Sequence, residues 1–184
     1  SPDSKQVAYL VHEEGDNSRE ELYVIDAGGS NSRLLIGGEK GESIENVDWS
    51  PDGKHLLVGF GNESVPGNSR LVLVSVVDGS SRLVGSPSDQ GRFSPDGRSI
   101  AFYRYPYPDL KAHIEEGLYV AAVERGKEVL LVRGAASDPR WTPDGKKVLF
   151  HNQRPDQLDP RNLKTYVARE TYDLYWIRVV DGTS

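Results

Sequence analysis

One tetrapeptide occurs four times along the 184 residues, and its spacing constrains the fold more than any other feature of the chain. It reads Ser1-Pro2-Asp3-Ser4, Ser50-Pro51-Asp52-Gly53, Ser94-Pro95-Asp96-Gly97 and Thr142-Pro143-Asp144-Gly145, with starts separated by 49, 44 and 48 residues. A period of this size marks a chain that stacks copies of one supersecondary unit, none of which can bury its apolar surface alone. The tetrapeptide itself has the chemistry of a tight turn. Proline presets φ near roughly −65° at the first central position, aspartate bonds the backbone ahead of it, and glycine takes the left-handed conformation that ends the turn. Backbone geometry therefore accounts for Pro51, Asp52, Gly53, Pro95, Asp96, Gly97, Pro143, Asp144 and Gly145 as structural residues.

The flanks recur as well. An aromatic residue precedes the last three copies, as Trp49, Phe93 and Trp141, and should sit largely buried on a strand entering the turn. A basic residue follows each copy (Lys5, Lys54, Arg98, Lys146), and then a short apolar run: 7–11, 56–60, 100–103 and 148–150. A second apolar run appears at 22–25, 71–77, 118–123 and 174–180, and a third stretch of strand character at 33–36, 82–84 and 128–132. These runs have strand length and are rich in Val, Ile, Leu, Tyr and Trp. Asp26-Ala27-Gly28-Gly29, Asp78-Gly79, Arg125-Gly126 and Asp181-Gly182 close the second runs with the residue types of hairpin connections. No helical periodicity competes with this reading. Each unit is expected to be a four-stranded antiparallel sheet, which makes the chain all-β, with four blades of a β-propeller at approximately 1–37, 44–86, 91–134 and 137–184. The first blade is expected to lack its inner strand and the fourth its outer one, with further blades of a larger ring covering them.

The run Trp49-Ser50-Pro51-Asp52-Gly53-Lys54-His55-Leu56-Leu57-Val58, followed by Arg70-Leu71-Val72-Leu73-Val74 and Asp78-Gly79, resembles the repeat of TolB-like β-propellers. Similar repeats build the propellers of prolyl-oligopeptidase-like and tricorn-like peptidases. The resemblance implies a non-catalytic scaffold that binds a protein or peptide partner in an extracytoplasmic compartment. The peptidase branch implies instead a propeller that gates substrate for a serine peptidase domain outside these residues. Fold alone does not choose between them.

Composition removes several other classes. Acidic residues outnumber basic ones by 28 to 22, a net charge of −6 spread along the chain, so no broad cationic face is available to a nucleic acid backbone. Mean hydropathy is −0.55, and no apolar stretch approaches the roughly 18 residues of a spanning helix. The absence of cysteine rules out disulfides, thiolate metal sites and a cysteine nucleophile. The four histidines, His12, His55, His113 and His151, follow no local metal pattern, and neither a Gly-x-Ser-x-Gly elbow nor a phosphate loop is present. No cofactor is implied. A propeller lyase or glycan-processing enzyme would need charged side chains from several blades to converge, and no such set stands out. The carboxylate pairs Glu13-Glu14, Glu20-Glu21 and Glu115-Glu116 fall at loop edges, where solvation is their ordinary explanation.

A four-stranded meander places its first and third connections at one end and its second at the other. The tight turns therefore occupy one end, and the long connections at 12–21, 61–70, 104–117 and 152–173 occupy the opposite one, where binding residues concentrate on a rigid scaffold. The last two are the most unusual. Tyr103-Arg104-Tyr105-Pro106-Tyr107-Pro108 sets three tyrosines beside two prolines, either as a stacking surface for a partner or as packing against the neighbouring loop. Arg154, Arg161, Lys164, Tyr166 and Arg169 make the other locally basic, with Asp156, Asp159 and Glu170 available to neutralise it. Tyr105, Tyr107, Arg154 and Tyr166 are the candidate partner-binding residues.

Overall fold

The computed structural model describes residues 1–13, 19–62, 65, 68–85, 88, 90–105, 115–124, 128–134, 136–152, 164–166 and 173–179. All regular structure among them is strand, and every pairing is antiparallel. The chain divides into two compact units, Ser1–Asp89 and Gln90–Ser184.

The first unit holds two sheets. One has three strands, β1 (Gln6–Glu13), β2 (Arg19–Asp26) and β3 (Arg33–Gly37), paired in that order. The other is a four-stranded meander of β4 (Ser43–Trp49), β5 (His55–Gly61), β6 (Arg70–Ser75) and β7 (Ser81–Gly85). Successive strand side chains alternate between faces, so Leu56, Val58 and Phe60 share one face of β5. They join Val72 and Val74 and pack against Leu22, Val24 and Leu35 of the three-stranded sheet. Leu57, on the opposite face of β5, is also fully buried. Burial on both faces is why β5 reads as an unbroken apolar run rather than an alternating one.

The second unit repeats this arrangement. Strands β8 (Gly91–Phe93), β9 (Ser99–Arg104), β10 (Gly117–Ala122) and β11 (Val129–Arg133) form one meander. Its Ala101, Tyr103, Leu118, Val120 and Val132 pack on Ala136, Val148, Phe150 and Ile177 of the other sheet. That sheet contains β12 (Ala136–Trp141), β13 (Lys147–Asn152), β14 (Lys164–Tyr166) and β15 (Asp173–Arg178), in the order β12-β13-β15-β14. Each fully buried Leu or Phe in these clusters contributes about 1.5–3 kcal/mol.

The tight turns share one hydrogen-bonding pattern. The Ser50 hydroxyl donates to Asp52 Oδ1 at 2.6 Å and accepts the His55 amide at 2.9 Å, while the Lys54 amide donates to the same Asp52 oxygen at 3.0 Å. Ser94 and Asp96 repeat this at 2.6, 2.9 and 3.0 Å, and Thr142 and Asp144 at 2.5, 3.1 and 3.1 Å. Gly53, Gly97 and Gly145 take φ of 70°, 71° and 68°, the left-handed region glycine enters freely. Ser4 takes the same conformation at φ 60° with a side chain, at a cost of about 1 kcal/mol.

Two features differ from the sequence reading. Phe93 is buried, but Trp49 and Trp141 are half-buried, lying against the edges of their core clusters. An indole carries an N–H that needs an acceptor, and Trp141 Nε1 donates to the Arg92 carbonyl at 3.1 Å, which holds the ring at the margin of the core. The connection expected to be irregular over 152–173 contains β14. This strand pairs with β15 through Thr165↔Tyr175 and takes the outer-edge place that β3, β7 and β11 take in the other sheets.

Truncating Trp141 to alanine should destabilise by roughly 3 kcal/mol, the low end for a tryptophan because the ring is only half-buried. Trp141→Phe should recover most of that and leave a deficit of about 1 kcal/mol for the lost hydrogen bond. Urea denaturation of both variants checks the partition.

The turns also predict an acid limb of stability. Hydrogen bonds from Ser50, Ser94 and Thr142, followed by backbone amides, hold the carboxyls of Asp52, Asp96 and Asp144 below the ordinary aspartate range. Asp78 is lowered to about 2 by Ser75 and Ser80. A carboxyl depressed in the folded state stabilises above its unfolded pKa of about 3.9, and that contribution is lost as pH falls through the folded value. The urea midpoint should therefore fall between about pH 5 and pH 2, and replacing Asp52, Asp96 and Asp144 together by asparagine should flatten that fall. A midpoint that responds to acid equally in both proteins would contradict this account.

Candidate functional site

The strand ends away from the tight turns are those that flank the β1–β2, β5–β6, β9–β10 and β13–β15 connections. Charged side chains gather there, and the structure shows how they are used.

In the first unit they act as ties. Glu42, 2% exposed, meets Arg70 side-on, with Arg70 Nε 3.2 Å from Oε1 and an Nη 2.5 Å from Oε2. The same Glu42 oxygen accepts the Glu39 amide at 2.7 Å, and the Arg70 guanidinium lies 4.1 Å from the centre of the Phe60 ring. Glu20 accepts the Ile44 amide at 2.6 Å, which links the two sheets of this unit, and Glu21 pairs with Arg19 at 2.9 Å. A buried ion pair of this kind is most costly when one partner is removed, about 3–5 kcal/mol. These carboxylates are structural clamps.

In the second unit the root of the β9–β10 connection is an aromatic and charged platform. Tyr105, directly after β9, meets the Tyr103 ring edge-on at a centroid distance of 4.7 Å and packs against the core cluster. The Tyr103 hydroxyl donates to Glu116 at 2.5 Å. Arg104 grips Glu128 with both terminal nitrogens at 2.7 Å, and its guanidinium lies 4.9 Å from the Tyr119 ring and 5.5 Å from the Phe102 ring. Burial pushes the Tyr119 phenol up, and its hydroxyl donates to the Glu115 carbonyl at 2.7 Å. Glu115 also reaches Arg133 at 2.6 Å. Gly117 opens β10 where a side chain would collide with the Val132 carbonyl, so only glycine lets β10 and β11 approach so closely at this root.

Of the four candidate residues, Tyr105 is thus partly committed to packing. Tyr166 ends β14 opposite Leu174, at the same end of its own sheet but on the outer edge. Tyr107 and Arg154 lie outside the described residues. The carboxylates Glu20, Glu21, Glu115 and Glu116 have specific partners instead of the solvation expected for them. Their partners are 24, 2, 18 and 13 positions away for the contacts at Ile44, Arg19, Arg133 and Tyr103, and the non-local ones carry no local signal. Sequence reading also passed over Glu42 and Glu128, for the same reason.

Chemically, the platform offers rigid aromatic surface and charges that are already satisfied. Among the described residues no group of three or more histidine or acidic side chains is placed to hold a metal ion. No helix among them is long and apolar enough to cross a membrane.

No family model matches the chain. Its sequence is 27% identical over 152 residues to an uncharacterised peptidase, YuxL, of Bacillus subtilis strain 168, a likeness that covers 82% of this chain and 20% of that protein. TolB from Acinetobacter baumannii is similar in structure, with a TM-score of 0.63 at 18% identity over 97% of this chain and 42% of that one. The β-propeller domain of the Trilobed protease from Pyrococcus furiosus gives a TM-score of 0.63 at 18% identity, covering all of this chain and 54% of its own. The chain spans about a fifth of the curated relative and about half of each of these solved chains. At such identities the structural likeness speaks to fold, and together with the antiparallel meanders it shows the chain to be a partial β-propeller with the TolB-like fold.

Proposed function

We propose that this chain is a non-catalytic propeller scaffold that binds a protein or peptide through the end of its sheets opposite the Ser-Pro-Asp-Gly turns. The observation that carries the reading is the pairing of Tyr105 with Tyr103 beside the Arg104–Glu128 bridge. A tyrosine ring held against a second ring loses little freedom on binding, and tyrosine and arginine dominate binding energy at interfaces. Tyr107 and Arg154, in the β9–β10 and β13–β14 connections, are the further contacts of this reading, with Tyr166 at the end of β14. The TolB likeness supports an extracytoplasmic setting for such a scaffold.

A second reading is favoured by the peptidase relative. Here the same end faces a serine peptidase domain elsewhere in the protein, and the propeller admits or orients its peptide substrate. Both readings require the long-connection end to meet polypeptide, and they differ in whether that polypeptide is a partner or a substrate.

Panning immobilised chain against a peptide display library, followed by calorimetry on the selected peptides, tests the common element. Tyr107→Ala and Arg154→Ala together should weaken binding at least about tenfold, since single hot spots cost about 2 kcal/mol, and should leave the melting temperature within a degree or so. Tyr105→Ala should lower both, because its ring also supports Tyr103. Selected peptides that bind the Tyr107 and Arg154 variant normally, but fail against variants on the tight-turn end that remain folded, would place the site at the wrong end. Cleavage of the same peptides by the full-length protein, lost when a catalytic serine outside this chain is replaced, would select the gating reading over the scaffold.

A further inference from the structure

The ion pair at the end of β11 is built differently from the clamps described above. Arg70 and Arg104 each give two nitrogens to a carboxylate and are largely withdrawn from solvent. Arg133 meets Glu115 Oε1 through Nη1 at 2.6 Å, and its side chain is 75% exposed. The backbone around this pair is fixed. Arg133 lies opposite Gly117, whose missing side chain lets the Val132 carbonyl press against it, and the next amide, of Gly134, donates to the Glu116 carbonyl at 3.0 Å. The Tyr119 hydroxyl holds the Glu115 carbonyl at 2.7 Å, and the Tyr103 hydroxyl holds the Glu116 carboxylate at 2.5 Å. With both backbones anchored, the Arg133 guanidinium is the part free to change partners.

Register links this pair to the aromatic platform. Gly117 lies opposite Arg104 across one ladder and opposite Arg133 across the other. Tyr105 directly follows Arg104, so its backbone and that of Arg133 stand two strand spacings apart at the end of one sheet, about 10 Å. An extended peptide crossing this end covers that distance in about three residues.

We infer that Arg133 receives a carboxylate of the bound peptide, an assignment that rests on the reading of this end as a peptide-binding surface. Glu115 is its resident counter-ion. An incoming carboxylate accepts two parallel N–H bonds from the guanidinium fork, where Glu115 meets one nitrogen, and it displaces the Glu115 side chain into solvent. An exposed pair such as Arg133–Glu115 adds little to stability, so the exchange leaves the fold intact. The carboxylate belongs to an aspartate or glutamate side chain or to a peptide C-terminus, about three residues from the side chain that meets Tyr105.

The test takes peptides selected on the whole chain from a display library with free C-termini. Each is resynthesised with its acidic side chains amidated one at a time, and separately with a C-terminal amide. Calorimetry then measures all of them against the wild-type chain, Arg133→Gln, Arg133→Lys and Glu115→Gln. Amidation of the received carboxylate should weaken binding to the wild-type chain by about tenfold and leave binding to Arg133→Gln unchanged. Whichever amidation has this effect identifies a side chain or the C-terminus as the source. Arg133→Lys should recover only part of the loss, because an ammonium does not present the fork. Glu115→Gln should tighten carboxylate-bearing peptides by about threefold, which a purely structural ion pair would not do. Equal sensitivity to amidation in the wild-type chain and Arg133→Gln overturns the assignment, as does weaker binding to Glu115→Gln. Peptides that ignore Arg133 but lose affinity for the Tyr107 and Arg154 variant overturn it while the peptide-binding reading stands. A library that yields no binder to the wild-type chain removes both.

Discussion

A hydroxyl and a carboxylate close each tight turn, and the rest of every sheet depends on that closure. The serine or threonine hydroxyl bonds the aspartate in front of it and the amide five residues on, so one short side chain fixes where the turn starts and which residues face each other across the hairpin. Because strand side chains alternate with a period of two, a slip of one residue would carry Leu56, Val58 and Phe60 from the core face to the opposite one. The clasp therefore determines which apolar residues meet. Charge assistance strengthens it, since the acceptor is an ionised carboxylate whose pKa the same bonds depress.

Packing then builds outward from these hairpins by one rule used twice. In each unit one face of the leading sheet lies on one face of the next: Leu22 and Val24 cluster with Leu56 and Val58 in the first, Leu118 and Val120 with Val148 and Phe150 in the second. Such sheets gain most of their stability from neighbours, which suits a repeat protein whose cohesion is a sum of nearest-neighbour contacts. The tight-turn end is uniform because backbone geometry leaves it little choice. At the other end the second connections vary in length and composition, and this asymmetry is what gives a repetitive scaffold a specific surface.

At that variable end most of the charge is consumed by the fold. Glu42 with Arg70, Glu20 with the Ile44 amide, and Arg104 with Glu128 each join segments distant in sequence. They stiffen the bases of the connections, beside the Tyr103–Tyr105 ring pair. The difference between the two kinds of side chain is physical: a carboxylate removed from water must be paired, whereas a tyrosine ring can remain half-exposed at little cost.

The strands and turns were legible in the sequence because their causes are local. Proline, aspartate and glycine act within four residues, and apolar runs of strand length announce themselves by composition. The tetrapeptide period thus determined the all-β meanders and the ends to which the long connections belong. Tertiary structure alone decided what lies across space. It placed Trp141 at the margin of a core because its indole nitrogen needed the Arg92 carbonyl, and it paired Glu116 with Tyr103 and Glu42 with Arg70. It also inserted β14 beside β15 within a segment whose residues carry no strong strand signal. In each case the deciding partner lies on another strand or connection, and the energy of satisfying a buried polar group or an open edge exists only once the sheets have come together.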